Sequence, residues 1–476
     1  MTGSGGKVVQ EPRNRAIVLG AGMAGLLAVR VLSEHFAEVV LVERDLIRGV
    51  DGPRRGVPQG RHAHALLARG QQILGELFPG LQEELTAAGI GSCDLAGSLR
   101  WYFQGRKLAQ QDSGLLSVSA TRPELEAAVR SRVLAIPGVV LREGTTVDGV
   151  LSAQDGRRVT GVRVRPAAGP DAADLRADLV VDATGRQSRA VQWLGELGFK
   201  APPEDRMPIN MAYTTRLFAC DEDPYGADLS INSVAYAANP RGAFFPRLHG
   251  NVSMLSLTGI LGDHPPRELG GFLRFAEDLD APEIHRTVAS ATPLDDGVTF
   301  RIAASVRRRY ERLPAHPDGF LVIGDAVCSF NPVYGQGMTV AAMEAAALQD
   351  HLRAGPVDPR QFYRRLSKII DVPWEVSAGG DLAFPGVPGE RPFKVRMANG
   401  YINRLHRAAA ANGALTSTFF RVAGLVDPPT ALFRPRVLAA TLRHRVGQAE
   451  PPSRPGVAAA PATQTGDRSY SGGDKA

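Results

Sequence analysis

The stretch from Ala16 to Glu43 restricts this chain more than any other. An apolar run, Ala16-Ile17-Val18-Leu19, ends in the cluster Gly20-Ala21-Gly22-Met23-Ala24-Gly25. A helical pattern with Leu26, Leu27, Val31 and Leu32 follows, and a second apolar run, Val39-Val40-Leu41-Val42, ends in Glu43. Strand, glycine turn, helix, strand and acid, in that order, make a βαβ unit of the kind that holds a dinucleotide. Each glycine has its own task. Gly20 permits the tight turn, Gly22 lets a pyrophosphate approach the backbone, and Gly25 lets the helix pack close on the strand. The helix N-terminus offers free N–H groups to phosphate, and Glu43 stands where a ribose diol would donate to it. A bare glycine pattern is often a plain turn; the flanking strands and Glu43 weigh against that here.

The chain has 476 residues, enough for a large core and two closely joined domains. No apolar run approaches bilayer length, so stable membrane insertion is not expected. The polar N-terminal residues lack the apolar centre of a secretion signal, which predicts a cytoplasmic protein. Cys93, Cys220 and Cys328 are far apart in sequence, so neither a disulfide framework nor a metal site is expected. The net charge is +6, nearly all of the cations are arginine, and no basic tract is interleaved with aromatics. That argues against nucleic acid as a partner and suits a phosphate-bearing cofactor. The oligomeric state is left open.

Taken in order, the chain predicts an α/β fold: a Rossmann-like, mostly parallel sheet with an inserted antiparallel β domain and a C-terminal helical lobe. Residues 1–14 read as a lead-in and 15–199 as the first part of the dinucleotide domain. Within it, the loop Gly52-Pro53-Arg54-Arg55-Gly56-Val57-Pro58 cannot be a helix or a central strand. Its arginines match phosphate oxygens. His62 and His64, at i and i+2, do not make a metal pair. Thr121-Arg122-Pro123-Glu124 is a capping box, and it leaves Arg122 at a helix mouth, either as a surface charge or in reach of a cofactor. Leu179-Val180-Val181-Asp182 reads as a buried strand ending in Ala183-Thr184-Gly185. Residues 200–300 read as a β layer suited to walling an apolar substrate, with Tyr213, Phe244, Phe245, Pro246, Met254 and Leu255 as its candidates. Residues 301–352 return to the first domain through Phe320-Leu321-Val322-Ile323 and Gly324-Asp325. Residues 353–446 read as the helical lobe and 447–476 as a tail.

Three stretches then meet: the glycine turn with Glu43, Asp182-Ala183-Thr184-Gly185, and Gly324-Asp325 with Pro332 and Gly335-Gln336-Gly337. Together they resemble the FAD-dependent monooxygenases of the para-hydroxybenzoate hydroxylase fold, over about residues 14 to 352. The segments Arg54 to His64 and Phe330 to Met338 resemble the polyene epoxidases of polyether pathways most. The resemblance implies FAD, with NAD(P)H as co-substrate and an apolar small molecule and O2 as reactants. It implies Gly20, Gly22, Met23, Ala24, Gly25 and Arg44 as cofactor-binding, Glu43 on the adenosine ribose, Arg54 near the pyrophosphate, and Arg122 near ribose and phosphate. Asp325 falls on the pyrophosphate or ribityl chain, and Pro332, Gly335, Gly337 and Met338 beside the flavin ring. The family usually has Asp where Thr184 stands and a His after its Gly-Asp pair, where Cys328 is the nearby residue here. The implied reaction is epoxidation or hydroxylation of a polyketide, polyene or aromatic compound, and no catalytic side chain is assigned. A carbon–carbon double-bond reductase of the geranylgeranyl reductase type and a non-catalytic FAD-binding protein are the competing readings. A halogenase is excluded because Trp101, Trp193 and Trp374 are too far apart for its Trp-x-Trp signature.

Overall fold

The computed structural model describes residues 13–167, 169 and 171–444, and the expected tail at 447–476 lies outside them. The lead-in is shorter than expected, because Arg13 and Asn14 already belong to the first strand, Arg13–Leu19. Ala16, Ile17, Val18 and Leu19 on that strand are completely buried, as a strand covered on both faces must be. It is the middle of a five-stranded sheet, flanked by Phe36–Val42 and Leu179–Asp182. Val139–Arg142 and Phe320–Val322 form the edges, and every pairing is parallel. Ile17 faces Val180 across one pairing and Val40 across the other, and Val180 faces Phe320 in turn. Strands about three hundred residues apart in sequence therefore share one sheet, with a single strand between them. Since all five run the same way, their carboxyl ends open along one edge, which is where open α/β sheets bind ligands.

The helix Met23–Leu32 starts directly after the turn and packs against the late helix Gly337–Ala354. The reason for glycine at position 25 is geometric. A Cβ there would lie 1.8 Å from the carbonyl oxygen of Gly20, so any side chain would force helix and strand apart. Gly20 itself holds φ at +93°, a conformation that L side chains rarely adopt.

The inserted layer is an antiparallel sheet built on the long strand Glu204–Ala219, paired on one side with Val298–Arg308 and on the other with Val252–Gly259. Arg241–Pro246 and Ser230–Ser233 continue it. Two helices cover its outer face, Leu269–Glu277 and Pro282–Ser290. The sheet extends further than residues 200–300 because the early strand Arg100–Phe103 joins it in parallel beside Ser230–Ser233.

The C-terminal lobe is formed by Pro359–Asp381, Phe393–Ala409, Gly413–Ala423 and Pro435–Arg443. It fastens to the body through aromatic contacts. The rings of Trp101 and Phe420 lie 5.0 Å apart, and His406 sits between Phe103 at 4.5 Å and Phe419 at 4.7 Å. Both ring nitrogens of His406 are buried without a hydrogen-bond partner, and burial alone pushes its pKa down to about 3.

His406 is therefore neutral when folded, while the unfolded chain takes up a proton near pH 6.5. The contribution is fully present above pH 6.5 and is lost as pH falls from there toward 3. By pH 5 the loss amounts to about 2 kcal/mol. Urea unfolding of wild type and His406→Leu at pH 7.5 and 5.0 checks this: the variant should gain roughly 2 kcal/mol relative to wild type on acidification. An unchanged difference between the two proteins would contradict it.

Candidate active site

A cavity of about 410 Å³ opens along the carboxyl edge of the parallel sheet and continues under the inserted sheet. Its polar end is built from four strand ends. The first supplies Gly20 and Gly22, the second Glu43 and Arg44, the third Thr184 and Gly185, and the fourth Gly324 and Asp325. Met23, Ala24, Arg54, Arg122, Pro332, Gly335, Gly337 and Met338 also line it, so one continuous wall collects the predicted cofactor residues. Gly25 is the exception. It lies behind the wall, where its contact with Gly20 sets the helix position.

Glu43 is buried and already held. One carboxylate oxygen accepts from the Ala21 N–H at 2.7 Å and the other from the Asp45 N–H at 3.0 Å. A carboxylate has about four lone-pair positions; these two bonds and the Arg54 guanidinium at 3.2 Å leave one for a ligand hydroxyl. Arg54 is more committed than the sequence implies. Its Nε donates to Glu126 at 2.8 Å, one terminal nitrogen lies 3.2 Å from both Glu43 and Asp45, and the other donates to the Ala21 carbonyl at 2.9 Å. With its five N–H groups mostly engaged, Arg54 braces the glycine turn from below and leaves one donor for the cavity. Exposed Arg44 stands at the rim and donates to Gln187 at 2.9 Å.

Thr184 turns back on its own strand. Its N–H and its hydroxyl both donate to Asp182, at 2.8 and 2.6 Å, and Ser188 donates to the other oxygen at 2.6 Å. An aspartate at 184 would set two carboxylates together there; threonine closes the turn instead. Cys328 is buried and is not part of the cavity wall.

The cavity carries the marks of a site shaped for a phosphate-bearing group. A Cβ on Gly22 would meet nothing within 4 Å, so the space beside that backbone is open. The helix Gly337–Ala354 has no side-chain cap, leaving its first N–H groups free at the wall. Arg122 Nε and Gln336 Oε1 are buried at the cavity without hydrogen-bond partners. Below, burial pushes the Glu344 carboxyl up to about 8, so this acid, which accepts from the Gly324 N–H, stands neutral and does not repel an anion. Asp325 is the one acid of the fourth strand end that faces the space; burial raises its pKa and the Arg186 and Arg122 guanidiniums lower it. Among the described residues no cluster of His, Cys, Asp or Glu could hold a metal ion.

The far end of the cavity is apolar, walled by Met211, Tyr213, Phe244, Phe300, Ile302 and Val333. Tyr213 and Phe244 were expected there. Pro246 and Met254 do not line the cavity. They have the same parity as Phe244 and as the lining residues Ser256 and Thr258, so they face the right side of the sheet but stand one step too far along it. Phe300 and Ile302 went unnoticed although Val298, Phe300 and Ile302 alternate with Thr299 and Arg301, because their strand, Val298–Arg308, straddles the boundary drawn at residue 300. The histidine loop docks through a buried chain: His62 Nδ1 meets the Thr215 hydroxyl at 2.7 Å, and Thr215 meets Ser256 at 2.6 Å. His64 lies on the wall itself. Burial and then Arg122 push its pKa down to about 3, so it is neutral.

One contact had no signal in sequence. Asp381, completely buried at the end of Pro359–Asp381, accepts from the Asn331 amide at 2.9 Å and the Tyr334 hydroxyl at 3.2 Å. It ties the loop carrying Pro332 and Gly335 to the C-terminal lobe.

Compared with known proteins, residues 13–355 match the family model described as FAD binding domain. The chain belongs to that family. It is 31% identical to Protein Rv3254 of Mycobacterium tuberculosis, over 88% of this chain and 91% of that one. It is 29% identical to a kynurenine 3-monooxygenase of Salinispora arenicola, over 72% of this chain and 73% of that one. Among solved structures, the flavin-dependent brominase Bmp2 superposes with a TM-score of 0.62 at 16% identity, covering 86% of this chain and 92% of that one, a likeness of fold alone. FAD is thus the cofactor of this chain, and it is an enzyme of the flavin monooxygenase type.

The two inner glycines separate folding from cofactor binding. Gly25→Ala should cost several kcal/mol, because backbone must move, and should lower the melting temperature of protein stripped of FAD. Gly22→Ala should leave that temperature within about 2 °C, since it removes about 0.5 kcal/mol or less. It should still weaken FAD affinity at least tenfold by placing a methyl where the phosphate approaches. Equal effects of both substitutions on the stripped protein would contradict this division.

Proposed function

We propose that this enzyme consumes NAD(P)H and O2 to place one oxygen atom on an apolar, electron-rich natural-product carbon skeleton, by epoxidation or hydroxylation. The observation that carries the proposal is the two-ended cavity. Groups suited to holding phosphate gather at the carboxyl edge of the parallel sheet, and apolar side chains face them from the inserted sheet. Bound FAD supplies the redox chemistry, accepting hydride and activating dioxygen. The chain's own residues supply position, electrostatics and dryness.

In this reading Glu43 takes the ribose, with Arg122 and the last donor of Arg54 on the phosphates. Asp325 meets the sugar-alcohol chain. The uncapped N-terminus of Gly337–Ala354 favours negative charge on a ring placed beside it. Pro332 stiffens the loop at the boundary between the two ends. Tyr213, Phe244 and Phe300 wall the substrate and exclude water, which strengthens each electrostatic contact inside. Burial pushes the Tyr213 phenol well up, so it stays protonated. His64 is neutral and a weak base. Neither Tyr213 nor His64 is poised to take a proton at neutral pH, which suits oxygen transfer to a double bond, a step that needs no protein base.

The test is turnover under labelled dioxygen. NAD(P)H oxidation by the holoenzyme with conjugated polyenes and polycyclic aromatics should yield a product carrying one oxygen-18 atom from 18O2. A product that gains two hydrogens and no label would instead assign a double-bond reductase, and NAD(P)H-independent behaviour with every compound would favour a non-catalytic FAD protein.

A further inference from the structure

Charge is divided unevenly along this chain. Residues 391–444 carry nine cationic side chains, eight Arg and Lys394, against the single carboxylate of Asp427, and that one is paired with Arg421. The whole chain is only +6, so the remainder of the molecule is slightly acidic and the C-terminal lobe alone is strongly basic.

The same lobe exposes large apolar side chains. Phe393 and Met397 are 68% and 59% exposed, one turn apart on the helix Phe393–Ala409. One turn further, Tyr401 stacks on Phe433 at 5.0 Å, and Phe433 is itself 49% exposed. Arg404 donates to the carbonyls of Thr441 and Leu442, which brings the exposed Leu442 against the same helix. The helix meets the body through Leu405, His406, Ala408 and Ala409, so the apolar line from Phe393 to Phe433 is not needed to hold the fold. Lys394, Arg396, Arg434, Arg436 and Arg443 surround it and are all exposed. Among the described residues Arg396, Arg436 and Arg443 have no carboxylate within ion-pair distance, and Lys394 reaches only the equally exposed Glu375 at 3.7 Å.

We infer that this face docks the enzyme on the surface of an anionic phospholipid bilayer. Cations around an apolar, aromatic line are what an interfacial anchor requires: the rings and Met397 enter the boundary of headgroups and acyl chains, and the arginines meet lipid phosphates. A second copy of the chain would bring two strongly basic faces together, which charge opposes. The docking is peripheral, since no helix among the described residues is long and apolar enough to cross a membrane. The inference does not depend on the identity of the substrate.

Sedimentation of the full-length holoenzyme with vesicles tests it. Vesicles of equal phosphatidylglycerol and phosphatidylcholine should bind the protein at least tenfold more tightly than phosphatidylcholine alone, and binding should weaken as salt rises from 0.05 to 0.5 M. Phe393→Ser with Met397→Ser should reduce binding at least fivefold, and Arg396→Glu with Arg436→Glu at least tenfold. Bound-FAD absorbance and melting temperature should be unchanged in both, which shows that the variants fold. Binding at 0.15 M salt that is equal for wild type and both variants, or equal for neutral and anionic vesicles, would overturn the inference. So would an absence of vesicle binding, including the case in which the apolar pair instead abolishes a dimer seen by light scattering or the retention of an acidic protein.

Discussion

The polar half of the cavity rests on a buried cation. The guanidinium of Arg54 is almost fully removed from water and lies among Glu43, Asp45 and Glu126. A charge in such a place is tolerated only when it is paired and its hydrogens are satisfied. The carboxylates need the cation for the same reason. Because these groups come from the second strand end, the loop after it and the helix behind Thr121, their mutual demand fixes three segments in one arrangement. The Ala21 carbonyl completes the set and brings in the glycine turn. What a dinucleotide meets at this end is thus a rigid wall, with the flexible loop after Glu43 immobilised by its own charge.

The other half is arranged by packing. The inserted sheet contributes alternate side chains to the cavity, and the loop from Asn331 to Gly337 marks the border between polar and apolar space. That loop answers to a third part of the molecule through Asp381, whose carboxyl is pushed up to about 6 by burial and is held by Asn331 and Tyr334. Gly380 leaves the room for this, since a Cβ there would lie 2.2 Å from the Tyr334 hydroxyl. The C-terminal lobe, which supplies no residue to the cavity wall, therefore positions the segment at the border between the two ends of the cavity.

Local chemistry was readable from the sequence where it is dictated by neighbours in the chain. The glycine turn, the Thr121 capping box and the buried strands at Leu179 and Phe320 all follow from short-range pattern, and the structure contains each of them. Contacts that depend on distant partners were not readable. The bracing role of Arg54 had no local sign, because nothing nearby shows that Glu126, seventy-two residues on, takes its Nε. The strand Arg100–Phe103 carries no sign that it will join a sheet whose long strands begin a hundred residues later. Pro246 and Met254 show the finest limit: alternation gives the face of a strand but not the depth at which a cavity ends.

The central claim is that the carboxyl edge of the sheet receives an intact adenine dinucleotide, with Glu43 on its ribose and the glycine turn on its pyrophosphate. Titration of flavin-free protein with FAD and, separately, with FMN, followed by quenching of flavin fluorescence, tests it most directly. The account predicts one FAD per chain and binding of FMN weaker by at least a hundredfold, because FMN lacks the adenosine ribose assigned to Glu43 and the second phosphate of the pyrophosphate assigned to the glycine turn. Equal affinity for the two flavins, or no uptake of FAD, would contradict it.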